Sequence, residues 1–129
     1  MAEQDQQTVY DFVGGKPWFD ALVERFYAGV EADEVLRPLY PEADLAGARE
    51  RLSGFLVQYW GGPADYSAQR GHPRLRMRHA PYAIGALERD RWLVHMRAAL
   101  DAAELHPQIH TLFADYFEQA ANAMVNRPD

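Results

Sequence analysis

A short stretch that ends at His79 brings together three kinds of side chain that could hold a cofactor. Apolar and cationic residues alternate in front of the imidazole, in the order Arg74, Leu75, Arg76, Met77, Arg78, His79. A flat apolar macrocycle with a central iron and two carboxylates needs an apolar slot, an imidazole ligand and cations at its edge. The stretch therefore fits a haem whose iron is bound by His79. From these residues alone, a surface histidine in a basic loop is the simpler interpretation, and both stay open.

Motifs for several other kinds of site are missing from the sequence. It contains no Cys, which excludes disulfides, thiolate nucleophiles, iron–sulfur clusters and Cys-type zinc sites. Gly14-Gly15 and Gly61-Gly62 lack a neighbouring strand and a phosphate-loop Lys, so they are interpreted as helix terminators. His72 and His79 are separated by Pro73, which gives little support for a two-His metal site.

Length and charge narrow the class of protein further. A chain of 129 residues with 48% hydrophobic residues is enough for one core, and we expect a single domain over residues 9–127 after a flexible tail over residues 1–8. The net charge of −6 argues against a protein that binds nucleic acid through its phosphates. The first residues are acidic and polar, and no run of about 18 apolar residues follows. We therefore expect a cytoplasmic protein without a nucleic-acid partner or a membrane span.

Apolar residues recur at intervals of three and four along four stretches, which predicts four amphipathic helices. The first begins near Pro17, the second is capped by Asp44, the third begins near Ala86 and the fourth begins at Pro107. Residues 64–72 are polar and without periodicity, which predicts a long loop.

A short helical stretch is predicted after that loop, over Leu75–His79, because Pro73 can begin it and Pro81 limits it. No alternating strand pattern and no internal repeat is visible. The predicted fold class is all-α.

Several motifs, taken in order, resemble the group II truncated haemoglobins of the kind found in actinobacteria. The central motif is a long run in two parts: Tyr59-Trp60-Gly61-Gly62-Pro63 with Tyr66-Ser67, then Arg70-Gly71-His72-Pro73-Arg74-Leu75-Arg76-Met77-Arg78-His79-Ala80-Pro81. Shorter matches are Val13-Gly14-Gly15, Arg25-Phe26-Tyr27, Val35-Leu36-Arg37 with Tyr40-Pro41, and Glu88-Arg89-Asp90 with Trp92-Leu93. The resemblance therefore spans nearly the whole predicted domain.

This resemblance implies a truncated globin, in which two helices pack over two others as a sandwich that encloses haem b (iron protoporphyrin IX). It implies that His79 is the iron ligand, and that Tyr27, Tyr40 and Trp92 stabilise the ligand on the other face. The positions that it implies for haem contact are Ala48, Arg51, Leu52, Phe55, Tyr66, Leu75, Met77, Arg78, His79 and Tyr82, with Arg51, Tyr66 and Arg78 near the haem carboxylates. From the residues alone, Tyr27 and Trp92 would be core aromatics, because they lie on or beside apolar helix faces.

The function that the resemblance implies is binding of O2, NO, CO or peroxide at the iron. Three donors would favour tight oxygen binding with redox chemistry, such as NO detoxification or peroxidase-like turnover. A simple oxygen carrier or store is the alternative within the family, and a haem-free all-α interaction module is the alternative from another class. Because no flavin or nicotinamide domain is visible, electrons would come from a separate reductase. Aromatic residues such as Tyr10 and Phe117, if exposed, could support a homodimer.

Overall fold

The computed structural model describes residues 8–41 and 43–127, without the side chain of Arg76. Within these residues the chain forms helices and no strand, which confirms the all-α prediction. Among the described residues there are seven α-helices and one 3₁₀ turn; in chain order they are α1 (Val9–Val13), α2 (Lys16–Glu31), the 3₁₀ turn (Arg37–Leu39), α3 (Ala46–Tyr59), α4 (Asp65–Arg70), α5 (Leu75–His79), α6 (Ala86–Ala102) and α7 (Pro107–Met124).

The core lies between two packed helix pairs. Helix α2 packs against α3, α6 packs against α7, and α2 also contacts α6, which joins the two pairs. Phe19 and Phe26 of α2 and Phe113 of α7 are fully buried at this junction. Each buried side chain of this size stabilises the fold by roughly 1.5–3 kcal/mol relative to exposure. The four long helices are the four that the apolar spacing predicts, and their arrangement is the two-over-two sandwich.

Helix α1 is absent from the sequence-based prediction. Its first turn is closed by a capping box, in which Thr8 Oγ1 accepts from the backbone N–H of Asp11 and Asp11 Oδ2 accepts from that of Thr8. Five residues are too few for apolar periodicity to stand out, so only the cap could have indicated this helix. Of the predicted tail 1–8, residues 1–7 lie outside the described residues, and Thr8 belongs to the cap.

Two further details differ from the prediction. The expected loop over residues 64–72 contains helix α4, whose six residues bury Tyr66 alone and so show no periodic apolar face. The N-cap of α3 is Leu45 instead of Asp44; the carboxylate of Asp44 accepts from the N–H of Ala46, at 3.0 Å.

Two findings bear on partners. Phe117, expected as an exposed aromatic, is 2% exposed, because the apolar face of α7 turns toward the core. Among the described residues, no helix combines the length and the apolar character needed to cross a membrane.

Candidate functional site

A cavity of about 510 Å³ lies between the helix pairs and helix α5. This volume is in the range of pockets that bind organic ligands. All of the predicted site residues except Met77 line it: Tyr27, Tyr40, Ala48, Arg51, Leu52, Phe55, Tyr66, Leu75, Arg78, His79, Tyr82 and Trp92. The fold thus gathers onto one cavity residues that lie as far apart in the chain as Tyr27 and Trp92.

His79 is oriented by a bond within its own helix. Its Nδ1 lies 2.7 Å from the main-chain oxygen of Leu75, four residues earlier. A carbonyl oxygen only accepts, so Nδ1 carries the proton and the lone pair of the neutral ring lies on Nε2. A donor bond of this kind holds metal-binding imidazoles in one orientation. The geometry therefore suits His79 Nε2 as a metal ligand.

The end of the chain supports the same helix. The side-chain amide of Asn126 donates to the main-chain oxygens of His79, at 3.2 Å, and of Tyr82, at 2.8 Å. These bonds tie the turn after α5 to the residues that follow α7.

The helical turn decides which residues of α5 reach the cavity. Leu75, Arg78 and His79 are spaced by three and four and share the face toward it. Met77 points away from this face and is 59% exposed, outside the cavity wall. The structure therefore does not bring Met77 to the cavity with the other predicted contacts, because alternation in sequence does not place both apolar residues of a helix on one side.

An aromatic wall, defined here as Tyr27, Tyr40 and Trp92, forms another part of the cavity surface. The rings of Tyr27 and Tyr40 are 5.7 Å apart and nearly perpendicular. Phe26 packs behind the wall. Its ring centroid lies 4.9 Å from that of Tyr27 and 5.1 Å from that of Trp92. The wall joins three elements, α2, the segment after the 3₁₀ turn, and α6, and its side chains carry two hydroxyl groups and one indole N–H.

Helix α3 supplies another side of the cavity. Ala48, Leu52 and Phe55 follow helical spacing and face the cavity together with Arg51. The ring of Phe55 packs against Tyr66 of α4, 5.8 Å between centroids. Helix α4 is therefore held by the same side chains that line the cavity.

Comparison with known proteins agrees with this architecture. The sequence model of the bacterial-like globin family matches residues 8–126 of this chain. The chain belongs to this family. Its relatives include the group 2 truncated hemoglobin YjbI of Bacillus subtilis (strain 168), 36% identical over 115 residues that cover 89% of this chain and 86% of the relative.

Solved structures show the same fold at high similarity. A thermostable hemoglobin from the actinobacterium Thermobifida fusca is 59% identical, with a TM-score of 0.93 over 95% of this chain and 100% of that one. A truncated oxygen-avid haemoglobin from Bacillus subtilis is 35% identical, with a TM-score of 0.87 over 93% of this chain and 100% of that one. Membership of the globin family implies a haem cofactor and binding of small diatomic ligands such as O2.

The donor set of this globin fits a haem. One imidazole has its lone pair on Nε2, the wall around it is mostly aliphatic and aromatic, and guanidinium groups lie at the cavity edge. Arg78 is held there by Tyr66, whose hydroxyl accepts from Nη1 at 3.4 Å, and by the main-chain oxygen of Arg70, which accepts from Nη2 at 3.0 Å. An apolar slot with cations at its edge suits a macrocycle that carries two carboxylates.

Sequence reasoning missed part of the cavity wall of this globin. Arg70, Glu88 and Arg89 add charged groups, and Leu36, Leu39, Ile84, Tyr116 and Phe117 add apolar ones. The apolar face of α7 was visible in the sequence, but its helical spacing does not tell which of its residues pack in the core and which line a cavity. Burial, together with the neighbouring phenol of Tyr59, raises the pKa of Tyr116 to about 12. The Tyr116 hydroxyl is therefore a neutral group at physiological pH.

Proposed function

We propose that this globin binds haem b through His79 and holds oxygen tightly under the aromatic wall, for redox chemistry on the ligand instead of bulk transport. The observation that carries the proposal is the convergence of Tyr27, Tyr40 and Trp92 on the cavity that His79 also lines. Haem iron supplies reversible binding of O2, NO and CO together with one-electron redox chemistry.

The chain's own residues would act in three ways. His79 would hold the cofactor through Nε2, with its ring kept in place by the bond to Leu75. Arg51, Arg70 and Arg78 would neutralise the cofactor's carboxylates at the cavity edge. The aromatic wall would donate hydrogen bonds to a ligand that draws electron density from the iron, which slows ligand escape.

Tight binding is the property that separates the two candidate roles within the family. The similarity to a haemoglobin described as oxygen-avid supports the tight-binding version. Slow release leaves time for a second reactant such as NO to meet the bound oxygen, whereas a carrier or store must release its oxygen. The proposal includes a separate reductase, and it places the protein in the cytoplasm.

Absorption spectroscopy of protein mixed with haemin tests the first part. We expect one haem per chain with a strong band in the violet. Protein without that band would favour the haem-free interaction module.

Two measurements on the reduced, oxygen-loaded protein test the second part. We expect slow oxygen release in stopped flow, and formation of one nitrate for each NO added. Fast release without nitrate would contradict the catalytic version and would favour the carrier or store.

A further inference from the structure

A buried charged group lies behind the aromatic wall and outside the cavity. The side chain of Asp33 is 0% exposed, in the corner between α2 and the 3₁₀ turn. An ionised carboxylate in such a place is strongly unfavourable unless it is fully hydrogen-bonded and paired. Its partners therefore show what the carboxylate holds together.

One carboxylate oxygen and the main-chain oxygen of Asp33 accept hydrogen bonds from the backbone of the corner that follows α2. Its Oδ1 accepts from the backbone N–H groups of Val35, at 2.8 Å, and Leu36, at 3.1 Å. Its main-chain oxygen accepts from the N–H of Arg37, at 2.9 Å. Leu36 is itself part of the cavity wall, so Asp33 sets the path of the chain as it enters the site.

The corner extends these bonds to the aromatic wall. The guanidinium of Arg37 donates to the main-chain oxygen of Tyr40, at 2.9 Å, and to that of Ala43, at 3.0 Å. The backbone of Tyr40 is therefore joined to Asp33 through a single residue.

The second carboxylate oxygen of Asp33 binds two side chains of helix α6. Its Oδ2 accepts from Arg91 Nε, at 3.0 Å, and lies 2.7 Å from His95 Nε2. Arg91 directly precedes Trp92, and His95 lies about one turn after it. Both bonds therefore fix the turn of α6 that carries Trp92.

A glycine in helix α2 leaves space for the His95 ring. A Cβ at position 29 would overlap His95 Nδ1, so Gly29 provides the space for the imidazole. Three elements that meet at the aromatic wall are thus joined at Asp33.

The carboxylate stays ionised in this setting. Burial by itself raises the pKa of Asp33, but the hydrogen bonds from His95, from the backbone of Leu36 and Val35, and from Arg91 outweigh it and hold the pKa well below the usual range. Hydrogen bonds to an ionised acceptor are stronger than neutral ones, so the carboxylate is a firm anchor at neutral pH.

We propose that Asp33 is a positioning residue for the aromatic wall: its carboxylate sets where Tyr40 stands relative to Trp92, and so how both donate to a ligand. The inference rests on the proposed function, because it concerns ligands of the haem. Asp33 reaches no ligand itself: its carboxylate acts through the backbone of Val35 and Leu36 and through α6, while its main-chain oxygen holds Arg37.

The variant Asp33→Asn tests this inference. Asn keeps the size and one acceptor oxygen for the corner, but its amide group cannot accept from Arg91. We expect oxygen release to become about three- to tenfold faster, since displaced donors lose much of their effect. We also expect the C–O stretching band of the carbon monoxide complex to shift or split, because that band responds to the donors around the ligand.

A matched control is Asp101 of helix α6, which pairs with His110 of helix α7. His110 Nε2 lies 2.8 Å from Asp101 Oδ1, an exposed His–Asp pair outside the cavity wall. Asp101→Asn should leave both the C–O band and the release rate unchanged. Val23→Ala, which loses packing at a buried position away from the Asp33 contacts, reports the effect of lower stability alone.

Two further variants test the same contacts if Asp33→Asn does not fold. Gly29→Ala would displace His95 without removing a charge, and Arg91→Gln would remove one donor from the carboxylate. Each is expected to move the C–O band in the same direction as Asp33→Asn.

The possible outcomes separate the two proposals. Wild-type protein that binds no haem overturns the proposed function. If the wild type binds haem and oxygen as proposed, an unchanged C–O band and release rate in Asp33→Asn, Gly29→Ala and Arg91→Gln overturn the role of Asp33 alone. A band shift in Val23→Ala as large as in those three variants also overturns it.

Discussion

The two parts of the cavity that matter most for its chemistry are built in opposite ways. In the His79 segment, residues 73–82, the bond that orients the imidazole is local and spans four residues, while Asn126 supports the main chain of the segment from outside. The aromatic wall is assembled from three distant elements, and the bond from Asp33 to His95 behind it spans 62 residues. The first is a local structure, and the second exists only in the folded chain.

This difference separates holding the cofactor from tuning its ligand. Cofactor attachment depends on a short stretch that can form as soon as α5 is docked. The geometry of the donors depends on long-range contacts, so changes far from the cavity can alter it. The predictions below test that separation, from the largest expected effect to the smallest.

His79→Gly should have the largest effect, because it removes the one imidazole of the His79 segment. We expect haem affinity to fall by about 100-fold or more, since a lost ligand should cost at least as much as the 10–100-fold typical of its supporting partners. Haem titration followed by absorption measures this. Added imidazole should restore the band, and a failure of imidazole to change the spectrum would contradict the role of His79.

Asp33→Asn should lower the free energy of unfolding by about 1–3 kcal/mol at pH 7, because buried donors lose a charged acceptor. The folded-state pKa of Asp33 is depressed below its ordinary value of 3.8, so its contribution is present above about pH 4 and is lost as the pH falls further. Urea unfolding of both proteins between pH 7 and pH 3 should show the difference shrinking with acid. A constant difference would mean that the carboxylate's charge does not matter.

Trp92→Phe should speed oxygen release about tenfold, which corresponds to the loss of roughly one hydrogen bond of 1–1.5 kcal/mol. The control is Trp18→Phe, the same substitution at a ring that packs on Phe19 and Phe113 and lies outside the cavity wall. Stopped-flow release rates compare the two. Equal rates in both variants would make Trp92 a packing residue only.

Leu75→Ala should weaken haem binding about fivefold, since a half-buried Leu that loses three carbons forfeits about 1 kcal/mol of apolar burial. Met77→Ala changes the same helix at a side chain that is 59% exposed, and it should alter haem affinity less than twofold, as roughly a third of that burial or less is lost. Competition for haem with a reference globin measures both. A larger effect at Met77 would contradict the orientation of α5.

Much of the fold was predictable from local pattern. The apolar spacing of α2, α3, α6 and α7 predicted four helices, and Pro73 and Pro81 bounded the short one that carries His79. Helices α1 and α4 were missed because they are five and six residues long, too short for a period to show.

The candidate site was predictable mainly through resemblance. Residue types alone left His79 a probable surface residue and Tyr27 a core aromatic, because neither periodicity nor spacing says what lies across a cavity. Met77 shows the limit of the resemblance, since the turn of α5 and not the motif decides which side chains face inward.

The sequence by itself determined the helices and the local frame of His79, because both follow from intervals of three and four residues and from proline positions. Only the tertiary structure decided that Tyr40 and Trp92 share a wall, and that a single buried carboxylate at Asp33 ties the corner to α6 behind them. The physical reason is range: helix periods and caps act within a few residues, whereas the packing of distant elements depends on the whole core.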